Sequence, residues 1–174
     1  MRRRYFAFVA SFVLCLTALY WLTSWVPHRP MTEARFWDLI ASLQVHEWDD
    51  SNTDYAPLRD GLKTYPPSEI ARFYEILVQK TYALDTRRHY ASYSVIPGLS
   101  DSFLYSRLAV VARGEAFYDA ALKDPTLFPS WSDAAWFEFL MYVPGIVFEE
   151  KTGRELDRSS PVSIESFSNV DQWQ

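Results

Sequence analysis

Two hydrophobic patterns divide this chain. An uncharged run of 22 residues from Tyr5 to Val26 follows Arg2, Arg3 and Arg4, and beyond Pro30 the apolar residues recur at spacings of three and four. The first run would make a helix of roughly 33 Å at about 1.5 Å per residue, enough to cross the hydrocarbon core of a bilayer. A cleaved signal peptide has a shorter apolar region of about 7 to 15 residues closed by a small-x-small site. Ala18-Leu19-Tyr20 and Thr23-Ser24-Trp25 place bulky residues where that site needs small ones, and Cys15 follows Val13 and Leu14 without the small residue of a lipoprotein signal. The expectation is therefore an uncleaved single-pass anchor, residues 5–26, behind a basic flank, residues 1–4. Tyr5 at one end and Tyr20, Trp21 and Trp25 at the other have the placement of aromatic belts at the two interfaces. The arginine triplet precedes the run and only His28 and Arg29 follow it closely, so the amino terminus is expected in the cytoplasm and the remainder on the non-cytoplasmic side. Met31-Thr32-Glu33 also has the form of a translation start, which would yield a cytoplasmic product without the anchor.

After a stiff linker at residues 27–31, the pattern predicts one compact multi-helix domain over 32–156. Thr32 can cap a helix with Phe36, Leu39, Ile40 and Leu43 on its buried face. A short helix follows from Asp54 to Thr64, with Tyr55, Leu58 and Leu62 inward and Gly61 counting against it. Pro66-Pro67-Ser68-Glu69 opens the clearest amphipathic helix, carrying Ile70, Phe73, Tyr74, Leu77, Val78 and Thr81. Asp85 opens a less regular helix to Tyr93, stopped by Pro97-Gly98. Ser100 or Asp101 caps the next, with Phe103, Leu104, Leu108 and Val111 apolar and Gly114 at its end. A helix from Glu115 to Leu122 stops at Asp124-Pro125. The last begins near Ser132 or Asp133, is kinked or split by Pro144-Gly145, and ends at Gly153. Residues 157–174 are Ser-rich and read as a poorly ordered tail. No strand pattern of useful length occurs, and the fold class is all-α.

Charge narrows the range of partners. All 22 acidic residues lie beyond residue 30, against 13 basic ones once Arg2, Arg3, Arg4 and Arg29 are set aside from the 17, which leaves the domain at −9. Such a surface repels phosphate backbones and anionic headgroups, so nucleic acid is excluded as a partner. The single cysteine, Cys15, lies in the apolar run, so the domain forms no internal disulfide.

Phe36-Trp37-x-Leu39-Ile40, Pro67-x-Glu69-Ile70-x-x-Phe73, Asp101-Ser102-Phe103-x-x-x-Arg107, Gly114, Ala120-Ala121-Leu122-x-Asp124-Pro125 and the closing Glu149-Glu150-Lys151-Thr152-Gly153-Arg154-Glu155-Leu156 occur in one order along residues 32–156. In this the chain resembles the bacterial family of domain of unknown function 4240. The resemblance implies a helical domain, usually without a membrane anchor, and no established activity. Two departures stand out. The family motif before the Arg107 helix commonly carries paired aspartates, whereas Pro97-Gly98-Leu99-Ser100-Asp101 keeps one, and Ala109 stands where the family often has tryptophan.

Constellations with chemical potential are sparse. Asp50-Ser51-Asn52-Thr53-Asp54 opens like a calcium loop, but Tyr55 replaces the turn glycine and Gly61 the bidentate glutamate. His28, His46 and His89 have no metal-ligand spacing. No metal and no cofactor is expected. Asp85 and His89 stand four apart, the spacing of an intrahelical hydrogen bond and equally of an oriented general base. Asp101 suits a helix cap and Arg107 a surface or interface ion pair, or the two belong to a binding surface. Trp37 and Trp48 are the aromatics to watch for partner contact, with core packing the alternative for Trp37. The candidate interaction residues are thus Trp37, Asp85, Asp101 and Arg107, with no catalytic residue assigned. The expected function is a membrane-anchored module that binds a protein partner. The alternative is a hydrolase using scattered carboxylates such as Asp85 and Asp101.

Overall fold

The computed structural model describes residues 30–45, 53–93, 100–129 and 135–174. The chain divides into two compact units, Met1–Pro30 and Met31–Gln174. The Tyr5–Val26 run, His28, His46, Trp48 and most of the Asp50–Asp54 stretch lie outside the described residues. Within them no helix is long and apolar enough to cross a membrane.

The second unit is all-helical among the described residues. Its α-helices are α1 (Glu33–Ala41), α2 (Ala56–Lys63), α3 (Pro67–Ala83), α4 (Arg87–Tyr93), α5 (Ser100–Ala112), α6 (Glu115–Lys123) and α7 (Val143–Thr152), with single 3-10 segments at Pro125–Leu127, Ala135–Met141 and Val170–Gln172. Their ends follow from local chemistry. The Thr32 hydroxyl accepts the Arg35 N–H and caps α1. Pro67 stands at the first position of α3, where its missing N–H costs nothing and its fixed φ suits the helix. Gly114 between α5 and α6 has φ +88°, and Gly153, which ends α7, has φ +69°; both lie in the region that glycine enters without steric cost.

Two helices organise the core. α3 buries Ile70, Phe73, Tyr74, Leu77, Val78 and Thr81, the face that the sequence marks. α5 is buried nearly all round, from Phe103 and Leu104 through Ser106–Ala112, which is the pattern of a helix surrounded by others. It packs against α1, α3, α4, α6 and the Ala135–Met141 segment, while α7 packs on α2 and α3. Gly61, the residue that weakens the case for α2, has a packing reason: a Cβ there would lie 2.6 Å from Leu39 Cδ2 of α1.

Four expectations are corrected. Asp85 does not open α4: Thr86 does so, its hydroxyl accepting the His89 N–H, while Asp85 is left free to bond elsewhere. Ser100 and Asp101 both lie inside the first turn of α5 rather than at its cap. The break in the last helix falls at Tyr142, where a 3-10 segment gives way to α7, because Pro144 is tolerated in the first turn of a new helix but not inside a continuing one. Residues 157–174, expected as a poorly ordered tail, fold back over α3: Leu156, Val162 and Ile164 pack against Tyr74 and Val78.

The α1–α2 contact yields a prediction. Gly61→Ala gains up to about 1 kcal/mol of helix preference only if Leu39 yields. A double-mutant cycle with Leu39→Ala should show a coupling of at least about 0.5 kcal/mol in urea unfolding. Additive effects would show that the two helices do not meet there.

Candidate functional site

Asp85 sits in the turn between α3 and α4 and is fully buried. A buried carboxylate is tolerated only when its lone pairs are taken up. Here the C-terminal segment supplies the donors. Oδ1 accepts the Phe167 N–H at 2.9 Å and the Trp173 indole N–H at 3.2 Å. Oδ2 accepts the Ser168 N–H at 2.7 Å, the Asn169 N–H at 3.0 Å and the Ser168 hydroxyl at 3.3 Å. Three successive backbone amides thus converge on one carboxylate, the anion-binding concavity that alternating backbone conformations create. Phe167, at φ +68°, supplies the left-handed residue. The Asn169 amide donates to the Tyr82 carbonyl at 3.2 Å, and the Trp173 indole also reaches the Asp85 carbonyl at 3.1 Å.

Arg107, the largest fully buried side chain, holds the same segment from α5. Nη1 donates to the Thr81 carbonyl at 3.2 Å; Nη2 donates to the Ile164 carbonyl at 3.1 Å and to Ser166 Oγ at 2.8 Å. Its guanidinium lies 4.9 Å from the Phe103 ring centroid. Burial lowers its pKa to about 10, against the opposing pull of Asp85 and Glu165, so it is still charged at neutral pH. The Ser166 hydroxyl passes on to the Ser100 carbonyl at 2.6 Å. Around both charges stand Tyr90, Phe103, Phe167 and Trp173, with Phe167 and Trp173 edge to face at 4.7 Å.

The four candidate residues therefore separate. Asp85 and Arg107 are brought together through the segment that they share. Arg107 is fully buried rather than at the surface, and among the described residues it donates to carbonyl and hydroxyl oxygens instead of forming the expected surface ion pair. Asp101 is exposed on the first turn of α5, where its carboxylate accepts the Ser100 hydroxyl at 3.1 Å. Trp37 is a core residue, packed on Phe36 at 4.9 Å and Tyr118 at 5.2 Å with Lys80 over its ring. The Asp85–His89 dyad does not form. His89 Nε2 donates to the Ala121 carbonyl at 3.0 Å, which fixes the tautomer, and the Thr86 hydroxyl donates to Nδ1 at 2.7 Å.

A second polar cluster escaped the sequence. Glu138 accepts the Tyr142 hydroxyl at 3.0 Å, and Tyr105 beside it is pushed up to about 12 by burial first and then by Glu138. Arg158 lies 5.5 Å from the Tyr142 ring and lines two clefts, of about 450 and 600 Å³. Glu138 and Tyr142 stand four apart, whereas Tyr105 and Arg158 come from two distant stretches of chain, and no spacing joins those to the pair. Among the described residues no three carboxylate, histidine or cysteine side chains gather as a metal site would require.

A family model described as protein of unknown function (DUF4240) matches residues 31–150. No curated protein and no solved structure matches the chain.

Asp85→Asn converts one acceptor oxygen into a donor that faces N–H groups, and hydrogen bonds to charged groups contribute about 1.5–3 kcal/mol each. The Phe167, Ser168 and Asn169 amides should exchange with solvent at least about tenfold faster, tenfold being about 1.4 kcal/mol, while those of Phe73–Leu77 in α3 keep their protection. Equal loosening of both would show that Asp85 supports the whole core rather than the segment. His89 gives a pH prediction. Burial is the main cause holding its pKa below the ordinary 6.5, against the Ala121 hydrogen bond, so the unfolded chain takes up a proton before the folded one. Stability is fully present above about pH 6.5 and falls as the pH drops from there through the lowered folded value. His89→Gln should flatten that slope in urea titrations run between pH 7 and 5; an unchanged slope would assign it to other groups.

Proposed function

Since the chain belongs to the DUF4240 family, from which no activity follows, we propose a function from its own chemistry: a helical binding module, tethered to a membrane through Tyr5–Val26, that grips an extended peptide segment at Asp85 and Arg107. One observation carries the binding reading. Two buried, oppositely charged side chains hold a peptide stretch chiefly through its backbone amides and carbonyls, which is how a site recognises a chain rather than a small substrate. The acidic domain, at −9, favours a partner with a basic or neutral surface and disfavours nucleic acid. The arginine triplet ahead of the apolar run places the domain on the non-cytoplasmic side in this reading, and a start at Met31 would give a cytoplasmic form.

The hydrolase reading has less support. A general base needs a free lone pair within reach of a proton, and all of the Asp85 acceptor positions face donors of the chain itself. Asp101 is exposed on the first turn of α5, where its carboxylate accepts the Ser100 hydroxyl rather than sharing a cleft with Asp85.

The test compares the full-length chain with a version starting at Met31. Alkaline carbonate should leave the full-length chain in the membrane pellet and release the shorter one; release of both removes the tether. Partner protein cross-linked and captured from membranes with the full-length chain should fall at least about tenfold with Asp85→Asn, the change expected when charge-assisted hydrogen bonds are lost. Capture insensitive to that substitution would remove the Asp85 site from the binding function.

A further inference from the structure

The two buried charges belong to the part of the chain that the family model matches, residues 31–150, but most of their partners come from beyond it, between Ile164 and Trp173. The contacts are of a kind that another peptide can make. Asp85 takes three backbone N–H groups, one hydroxyl and one indole N–H, and Arg107 takes one carbonyl and one hydroxyl from the segment. The segment is joined to the domain by Asp157–Pro161, in which only Ser160 is not exposed and where the Ser159 N–H bonds locally to Asp157. Along Ser160–Glu165 it touches α3 through Val162 and Ile164, on Tyr74 and Val78, and lines a cleft of about 450 Å³. Phe167 is 39 % exposed and Val170 65 % exposed, although both flank the gripping residues.

Resting on the binding reading above, we propose that Phe167–Trp173 is an exchangeable internal ligand and that the pocket formed by Asp85, Arg107, Tyr90 and Phe103 receives a partner segment of the same chemistry. That segment carries an aromatic residue in the left-handed conformation, two following residues with free backbone N–H groups, and a tryptophan four residues further on. The internal copy competes at the effective concentration of a short linker, on the order of millimolar, so the tail sets the affinity that a partner must exceed. It also keeps both charges out of water and hydrogen-bonded while no partner is bound.

The experiment uses the full-length chain in detergent with a protease site inserted after Ser159, and a fluorescent synthetic peptide corresponding to Ser163–Gln174. Before cleavage the peptide should not bind; after cleavage its anisotropy should rise saturably and be reversed by unlabelled peptide. A peptide with Asn169→Pro, which lacks one N–H that Asp85 accepts, should bind at least about tenfold more weakly. A nicked segment that never exchanges overturns the proposal. So does loss of the hydrogen-exchange protection of Phe73–Leu77 in α3 as the segment leaves, because the segment would then be part of the core. Failure of the underlying reading looks different: peptide exchange would proceed, yet partner capture would be indifferent to Asp85→Asn.

Discussion

The carboxylate of Asp85 cannot be buried alone, and much of the molecule's C-terminal architecture follows from that. Removing one carboxylate from water costs several kcal/mol even after relaxation, and the cost is offset only where hydrogen bonds and an opposite charge replace its hydration. Five donors from Phe167, Ser168, Asn169 and Trp173 do the first. Arg107 does the second, at the longer range at which Asp85 still holds up its charge against burial. Neither residue touches the other in an ion pair; the segment between them is the medium of their interaction. Breaking any part of this arrangement leaves a buried charge uncompensated, which costs far more than a surface pair is worth.

The helices beneath are arranged to make that centre rigid. α5 brings Phe103 and Arg107 to one place because residues four apart share a face, and it is itself fixed by burial on every side. α3 ends beside them and lends its Thr81 and Tyr82 carbonyls, which accept the Leu84 and Asp85 N–H groups at the helix end and take a second donor from Arg107 and Asn169. His89 ties α4 to α6 through Ala121, so the Tyr90 ring that covers Phe167 and Trp173 is held from the far side as well.

Helix positions were legible in the sequence where they depended on neighbours along the chain. The face of α3, the Thr32 cap, the proline start at Pro67 and the stops at Gly114 and Gly153 are local effects of period, capping and backbone freedom. The centre was only half legible. Asp85 was marked by its spacing to His89 and Arg107 by the motif shared with the resembling family, but the partners from the C-terminal segment lie 57 to 88 positions away in a Ser-rich stretch without periodicity. Such a stretch reads as disorder because its fixing interactions are donated by backbone amides, which every sequence has. The cluster of Glu138, Tyr105, Tyr142 and Arg158 was illegible for the related reason that only its Glu138–Tyr142 pair is local, while Tyr105 and Arg158 are brought to it by tertiary packing. Asp101 shows the opposite error: a residue at the right place for a cap was displaced into the helix once α5 began one residue earlier.

The same bonding bears on what kind of site this is. An active-site carboxylate keeps a lone pair or a proton available for chemistry, and the structural burden of holding the fold rests on other residues. Asp85 is saturated, and its saturation comes from a segment outside the family match, so its occupancy is conditional on that segment staying in place. Under the proposed exchange of that segment, discrimination would rest on which chain presents donors in the same geometry. Arg107 adds to this, because its Nη2 donates to a carbonyl and a hydroxyl of the same stretch while Nη1 holds the Thr81 carbonyl and the guanidinium lies over the Phe103 ring. The proposed recognition of a chain by its backbone draws on the same bonds that these buried charges make to the protein's own C-terminal segment, with Tyr90 and Phe103 packed on its aromatic rings.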